Sequence, residues 1–494
     1  MTQRRFTPIG SLRGVDEFED HLKSLELTIP LEKQLLWGPD SPLGQPISLK
    51  NMTIGTRFAI HPMEGWDGTA DGMPTEKTLR RWRRFGQSGA KLIWGGEAVA
   101  VSHDGRANPN QLLSADSTRV GLALLREELI KEHRQTTGSV DGLVVGLQLT
   151  HSGRFSHPNA LARSEPRILY HHPILDSRLE ISEDYPVLTD GEIRRIIEAF
   201  HNAARIAYDI GFDFVDIKHC HGYLGHEFLS AHTRDGDYGG SFENRTRFLR
   251  EVAEGIRASA PGLGIGVRLS AFDTIPFKPE SDSEPGGKHG PGLPEPVQDY
   301  TPYRWGFGLS ASNPLEADLS ETIRFVSLLA DQGIELLNIS AGSPYYNPHI
   351  QRPALYPPSD GYLPPEDPLR GVERQMLAVR ALKQLFPGVT MVGSAYSYLQ
   401  DFLPNVAQAA VRNEWVDIVG LGRMALAYPE LPQDILEGRP LRHKTVCRTF
   451  SDCTTAPRNG LPSGCYPLDE YYKLSAAAGE LKQVKRLRDA ENRR

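Results

Sequence analysis

Six side chains able to carry charge or a proton fall within ten residues: Lys218, His219, His221, Tyr223, His226 and Glu227. They follow a short apolar run, Phe212 to Ile217, and are interrupted by Gly222 and Gly225. Such a run reads as a strand buried on both faces. Titratable groups crowded just past a buried strand cost stability unless a site uses them. A solvated polar loop is the competing reading for any one histidine, but the cluster as a whole points to a reaction centre.

A second chemical signal lies near the C-terminus. Gly420-Leu421-Gly422-Arg423-Met424-Ala425 matches the G-x-G-x-x-A form of a dinucleotide fingerprint. A Rossmann unit would need further strand–helix pairs and an acidic residue about 20 positions on. Only about seventy residues remain, rich in turns and ending in a charged helix. Placed after the last strand of a barrel, the same glycines become a phosphate cradle, with Arg423 as charge partner. Gly393-Ser394 would supply the other half. A phosphate-bearing ligand follows.

Eight apolar segments must position these groups: 57–61, 91–98, 143–150, 214–218, 264–269, 335–339, 389–393 and 416–421. Helical patterns separate them. Thr189-Asp190 opens one, with Ile193, Ile196, Ile197, Phe200, Ala204 and Ala207 at helical spacing until Gly211. Others cover 321–332, 371–386 and 403–414, and a shorter one is expected near 17–27. Strands alternating with helices imply parallel pairing, and eight repeats predict a single (β/α)8 barrel, an α/β fold. An open doubly wound sheet is the alternative.

Two stretches break the repeat. Residues 275–314 are too rich in Pro and Gly for helix or strand, and they lie between a strand and its helix rather than between domains. Loops of that length are usually lids or binding loops. Tyr303 and Trp305 are the expected covers for a planar ligand. The second insertion, 343–368, carries Tyr345, Tyr346, His349 and Arg352. Both leave the C-terminal ends of strands, where barrel sites are built. The expected organisation is an N-terminal extension (1–50), the barrel (51–440) and a C-terminal extension packed on it (441–494).

Bulk properties set limits. The chain has 494 residues, 39% hydrophobic and 24% charged, with formal charge -7 and a pI near 6.2. No basic cluster offers a nucleic-acid surface. No apolar run approaches the ~20 residues that span a bilayer. The first twenty residues lack the apolar core of a secretory signal. Four cysteines do not make a disulfide scaffold, so a cytoplasmic enzyme of a small-molecule substrate is expected. A homo-oligomer is left open.

Seven segments then fall in the order of one known family: LKNMTIGTRFAIHPMEGWDGTADGMPTE, GGEAVAVSHDGR, LQLTHSGR, KHCHGYLGHEFLSA, DYGGSFENRTRF, GVRLS and DIVGLGRMALAYPELP. Together they resemble the Old Yellow Enzyme family of FMN-dependent oxidoreductases, from about Pro46 to Pro432. The resemblance implies FMN across the C-terminal mouth of the barrel. Pro62, Met63, Glu64 and Glu97 would belong to the flavin site. Gln148 would meet the pyrimidine edge, and Arg268 would sit near N1 and O2, where a cation stabilises reduced flavin. Ser394, Gly422 and Arg423 would hold the phosphate. Lys218 and His221 would grip a carbonyl oxygen, and Tyr223 would protonate the neighbouring carbon. NADH or NADPH would reduce the flavin over the same open face.

The chain departs from the family pattern in three places. Lys218 stands where His is usual. Glu64 replaces a Thr or Cys, and it would disfavour reduced flavin unless paired, with Lys218 the candidate partner. Cys447, Cys453 and Cys465 lack the Cys-x2-Cys-x3-Cys spacing of relatives with an iron–sulfur cluster, so no cluster is expected. A zinc site would need Cys220 or His443 as a fourth ligand. The leading expectation is an ene-reductase for α,β-unsaturated carbonyls. The rivals are an FMN-dependent amine dehydrogenase or N-demethylase, a Schiff-base lyase using Lys218, and a metal-dependent isomerase using His219, His221 and His226.

Overall fold

Each of the eight apolar segments forms a strand of one closed parallel barrel. The computed structural model describes residues 6–280 and 290–491. The strands are β1 (Phe58–Ile60), β2 (Leu92–Ile93, resuming as Ala98–Ala100), β3 (Val144–Thr150), β4 (Phe214–Ile217), β5 (Gly264–Ser270), β6 (Leu336–Ser340), β7 (Thr390–Gly393) and β8 (Ile418–Leu421). Neighbours in sequence are neighbours in space, and β8 pairs with β1 through Gly420↔Ala59 to close the ring. Register aligns Gln148 of β3 with Asp216 of β4, and Arg268 of β5 with Asn338 of β6.

The break in β2 has a steric cause. Gly95 and Gly96 adopt φ +153° and +51°. A Cβ on Gly95 would lie 2.6 Å from the Gln148 backbone nitrogen, and one on Gly96 would lie 2.7 Å from the Trp82 ring. Only glycine permits strand and helix to approach this closely.

Seven helices form the outer ring: α1 (Glu76–Gly86), α2 (Arg119–Thr137), α3 (Asp190–Ile210), α4 (Arg247–Ser259), α5 (Ser320–Asp331), α6 (Pro368–Leu385) and α7 (Leu403–Arg412), with α8 (Arg423–Ala427) after β8. Helix α3 starts at a capping box: the Thr189 hydroxyl accepts from Glu192 N–H at 3.2 Å, and the Glu192 carboxylate accepts from Thr189 N–H at 2.8 Å. It stops at Gly211, left-handed at φ +94°. The early helix runs Val15–Ser24 and stacks Phe18 on Phe402.

A hairpin of Ile47–Leu49 and Met52–Ile54 plugs the N-terminal end of the barrel over Trp94, Phe214 and Leu336. The C-terminal end stays free for the insertions. The first contains an antiparallel pair, Phe277–Pro279 with Gly292–Pro294, while its residues 281–289 lie outside the described residues. The second holds a short helix, Pro348–Gln351. The C-terminal extension folds back over the same end. Arg80 of α1 grips Asp469 at 2.8 and 2.9 Å, and Arg458 donates to the Pro344 carbonyl at 3.0 Å. Among the described residues no helix is long and apolar enough to cross a membrane.

Candidate active site

The ends of seven strands and the C-terminal extension converge on one cavity of about 230 Å³. Pro62, Met63 and Glu64 line it from β1, Gln148 from β3, and Lys218, His221 and Tyr223 from the loop after β4. Arg268 enters from β5, Ser394 follows β7, and Gly422 and Arg423 follow β8. Tyr345 reaches in from the second insertion.

One carboxylate organises the substrate side. Glu64 Oε1 lies 2.6 Å from Lys218 Nζ. Its Oε2 accepts from the Tyr223 hydroxyl at 2.9 Å and from the Trp66 indole at 3.0 Å. The Tyr223 and Tyr345 hydroxyls are 2.8 Å apart. Burial, with Glu64 close by, pushes the Tyr223 phenol well above its usual range, so it stays protonated. The Lys218 ammonium also sits 3.8 Å from the centre of the Tyr223 ring, over its face.

His221 completes this wall through a turn held left-handed, with φ +67° at His221 and +80° at Gly222. Ser270 Oγ accepts from the His221 N–H at 3.1 Å, and the His221 carbonyl accepts from Ser343 Oγ at 2.9 Å. Its Nε2 lies 3.3 Å from both Ser340 Oγ and Gln351 Nε2. Burial first, then Arg268 and Lys218, drive its pKa well down and keep the ring neutral. His219 and His226 point elsewhere. His219 packs between Phe248 and Phe325, and His226 accepts the Gly222 N–H at 2.9 Å.

Asp216 is the residue that sequence reasoning missed. Fully buried below the cavity, it accepts from Gln148 Nε2 (2.5 Å), Trp94 Nε1 (2.7 Å) and Arg268 N–H (2.7 Å). It thereby sets the direction of the Gln148 amide. An acidic residue inside the run Phe-Val-Asp-Ile was the available signal. His61 was also overlooked. It lines the cavity within 3.0 Å of Asn338 Nδ2 and 3.3 Å of Ser394 Oγ.

Four expected site residues lie elsewhere. Glu97 is behind the cavity wall, accepting from Gly65 N–H at 2.5 Å and pairing with Arg81 at 3.1 Å. Its part is to hold the 64–67 segment in place. Tyr303 and Trp305 do not cover the main cavity. They pack with His172 around a separate void of about 20 Å³, where Tyr303 meets His172 at 3.2 Å and Trp305 donates to the His171 carbonyl at 3.0 Å. Aromatic content marked them as a lid, but the insertion folds toward the loop after β3. Gly393 ends β7 without lining the cavity, and a Cβ there would meet Tyr396 and Val416 at 3.1 Å.

The side chains present fit a flavin mononucleotide. Arg268 Nε and Arg423 Nη1 are buried without a partner, and neither guanidinium has an ion pair among the described residues. Such groups are costly unless a ligand answers them. A phosphate beside Arg423 and an electron-rich pyrimidine edge beside Arg268 and Gln148 would do so. No group of three His, Cys, Asp or Glu side chains is placed to hold a metal ion among the described residues.

Known proteins resemble this chain in sequence and in fold. Residues 42–286 match the model of the NADH:flavin oxidoreductase / NADH oxidase family. The chain is 30% identical over 318 residues to an NADPH dehydrogenase of Geobacillus sp. (strain WCH70), spanning 62% of this chain and 74% of that enzyme. Among solved structures, a 2-naphthoyl-CoA reductase complex matches with TM-score 0.63 and 19% identity, over 89% of this chain and 58% of that one. Morphinone reductase matches with TM-score 0.52 and 22% identity, over 81% and 92%. These two likenesses concern the fold.

Proposed function

Since the chain belongs to the NADH:flavin oxidoreductase / NADH oxidase family, that of Old Yellow Enzyme, and is an FMN-dependent NAD(P)H oxidoreductase, we propose that it reduces the carbon–carbon double bond of an α,β-unsaturated carbonyl compound. FMN, when bound, supplies hydride to the β-carbon and is recharged by NADH or NADPH. The chain's own residues do the rest. Arg423, Ser394 and Gly422 would hold the FMN phosphate, while Gln148 and Arg268 would hold the pyrimidine edge, where the cation would favour reduced flavin. Lys218 and His221 polarise the carbonyl oxygen, stabilising the negative charge that develops there. Tyr223 delivers the proton to the α-carbon from its hydroxyl, and Tyr345, 2.8 Å away, stands next in line to replace it.

The observation that carries this reading is the buried Tyr223 hydroxyl, bonded to Glu64 and Tyr345, in the same cavity as Arg268, which has no ion pair among the described residues. Amine oxidation is less well supported. The Lys218 ammonium already occupies the face of Tyr223 and the Glu64 carboxylate, the features that would bind a cationic amine. The test is anaerobic mixing. NADPH or NADH should bleach the flavin of the purified yellow protein, and 2-cyclohexenone should restore its colour. A flavin bleached by neither nicotinamide defeats the reductase reading.

A further inference from the structure

Arg352 is a half-buried cation with no ion pair among the described residues. It follows the short helix Pro348–Gln351 and lines the main cavity. Its Nη1 donates to Thr454 Oγ1 at 2.5 Å, and its Nη2 is buried without a partner. Two more arginines flank it. Arg423 donates through Nη2 to the carbonyl of Pro353, the next residue, at 2.7 Å. Arg458 is already paired with Asp360 at 2.5 Å. Burial first, then these two neighbours, bring the Arg352 pKa down to about 9, with Cys453 and Asp360 offsetting them only in part.

The charges of the cavity can be assigned one by one. Glu64 neutralises Lys218, Asp360 neutralises Arg458, and a flavin would answer Arg268 and Arg423. Arg352 is left over. Breaking or omitting the partner of a buried charge costs several kcal/mol, so a fold that keeps one has a ligand for it. We propose that Arg352 and Thr454, backed by Arg423 and Arg458, form an anion site for a phosphate or carboxylate borne by a ligand of the cavity. Arg supplies planar, forked donors suited to either group.

Two sources carry that chemistry. One is the FMN phosphate, as a second arginine beyond Arg423; this arm rests on the flavin reading. The other is an acidic group on the substrate. A neighbouring cavity of about 460 Å³ shares Trp66, Pro344, Tyr345 and Arg458 with the main one, giving room for a substrate longer than its reacting unit.

The test compares wild type, Arg352→Gln and Arg352→Lys in three measurements. The first is the rise in Tm of flavin-free protein in inorganic phosphate over chloride at equal ionic strength. The second is Kd for FMN and for riboflavin by fluorescence quenching. The third is KM for a carboxylate-bearing enoate and for its neutral methyl ester. Loss of a charge-assisted contact should weaken one anionic ligand about tenfold or more and leave its uncharged counterpart unchanged. If FMN weakens and riboflavin does not, the cofactor phosphate is the anion; if the enoate weakens and its ester does not, it is the substrate. Arg352→Lys, which keeps the charge, should show smaller losses and serves if Arg352→Gln does not fold. Variants that match wild type in all three measurements overturn the proposal. A wild-type protein that binds neither FMN nor riboflavin defeats the flavin reading, and the phosphate-dependent Tm then decides the anion site.

Discussion

Lys218 and Glu64, 154 residues apart in the chain, form an ion pair at 2.6 Å with both side chains largely removed from water. The lysine that stands where the resemblance leads one to expect histidine is therefore matched by a carboxylate at Glu64, and neither is intelligible alone.

That pairing is open to a double-mutant cycle. Lys218→Met leaves the Glu64 carboxylate buried and unanswered, which should cost about 3 kcal/mol of stability in the flavin-free protein. Glu64→Gln added to Lys218→Met should recover most of that loss. Additive losses, read from denaturant unfolding, would show that the two residues do not act as a pair.

Tyr223→Phe removes the proposed proton donor and none of the proposed flavin contacts. The rate of flavin reduction by NADPH should be unchanged in stopped flow, while reoxidation by an enone should slow by about 10²–10⁴-fold. Tyr345→Phe should slow reoxidation by a smaller factor, since it removes the hydroxyl behind the donor.

Asp216→Ala strips the acceptor from three buried donors at once. At roughly 1–3 kcal/mol for each group left unsatisfied, the barrel should lose about 4 kcal/mol of stability. FMN affinity should fall with it, because the Gln148 amide is no longer oriented. Unchanged affinity in a folded Asp216→Ala protein would remove Gln148 from the flavin site.

The Glu97 carboxyl is held up to about 7 from its ordinary 4.5 by burial, with Asp67 competing for the same Arg81. The folded state therefore binds more protons than the unfolded chain between those values. Stability from this group is full below about 4.5 and is lost as pH rises through about 7. The span is roughly 1–3 kcal/mol. Glu97→Gln should flatten the dependence of stability on pH across that window.

The barrel was legible in the sequence because parallel strands are buried on both faces and leave unbroken apolar runs. The ends of α3 were legible because Thr189, Glu192 and Gly211 fix their own backbone. What escaped depends on partners distant in the chain. Glu97 looks like any acid beside a glycine pair until Arg81 and Asp67 close around it, 16 and 30 residues upstream. Tyr303 and Trp305 advertise aromatic surface, but composition says nothing of the direction in which a long insertion folds. Gln148 was expected at the flavin from resemblance, whereas the acid that aims it, Asp216, was visible only as an exception within a strand.

Asp216 has a consequence for the order of assembly. Its three donors come from β3, β5 and Trp94 at the end of the first half of β2. A chain in which those strands had not yet come together around β4 would have no fixed Gln148 to offer. The capacity to bind flavin should therefore emerge late in refolding, together with ring closure, and the gain of flavin-binding signal would serve as a clock for completion of the barrel.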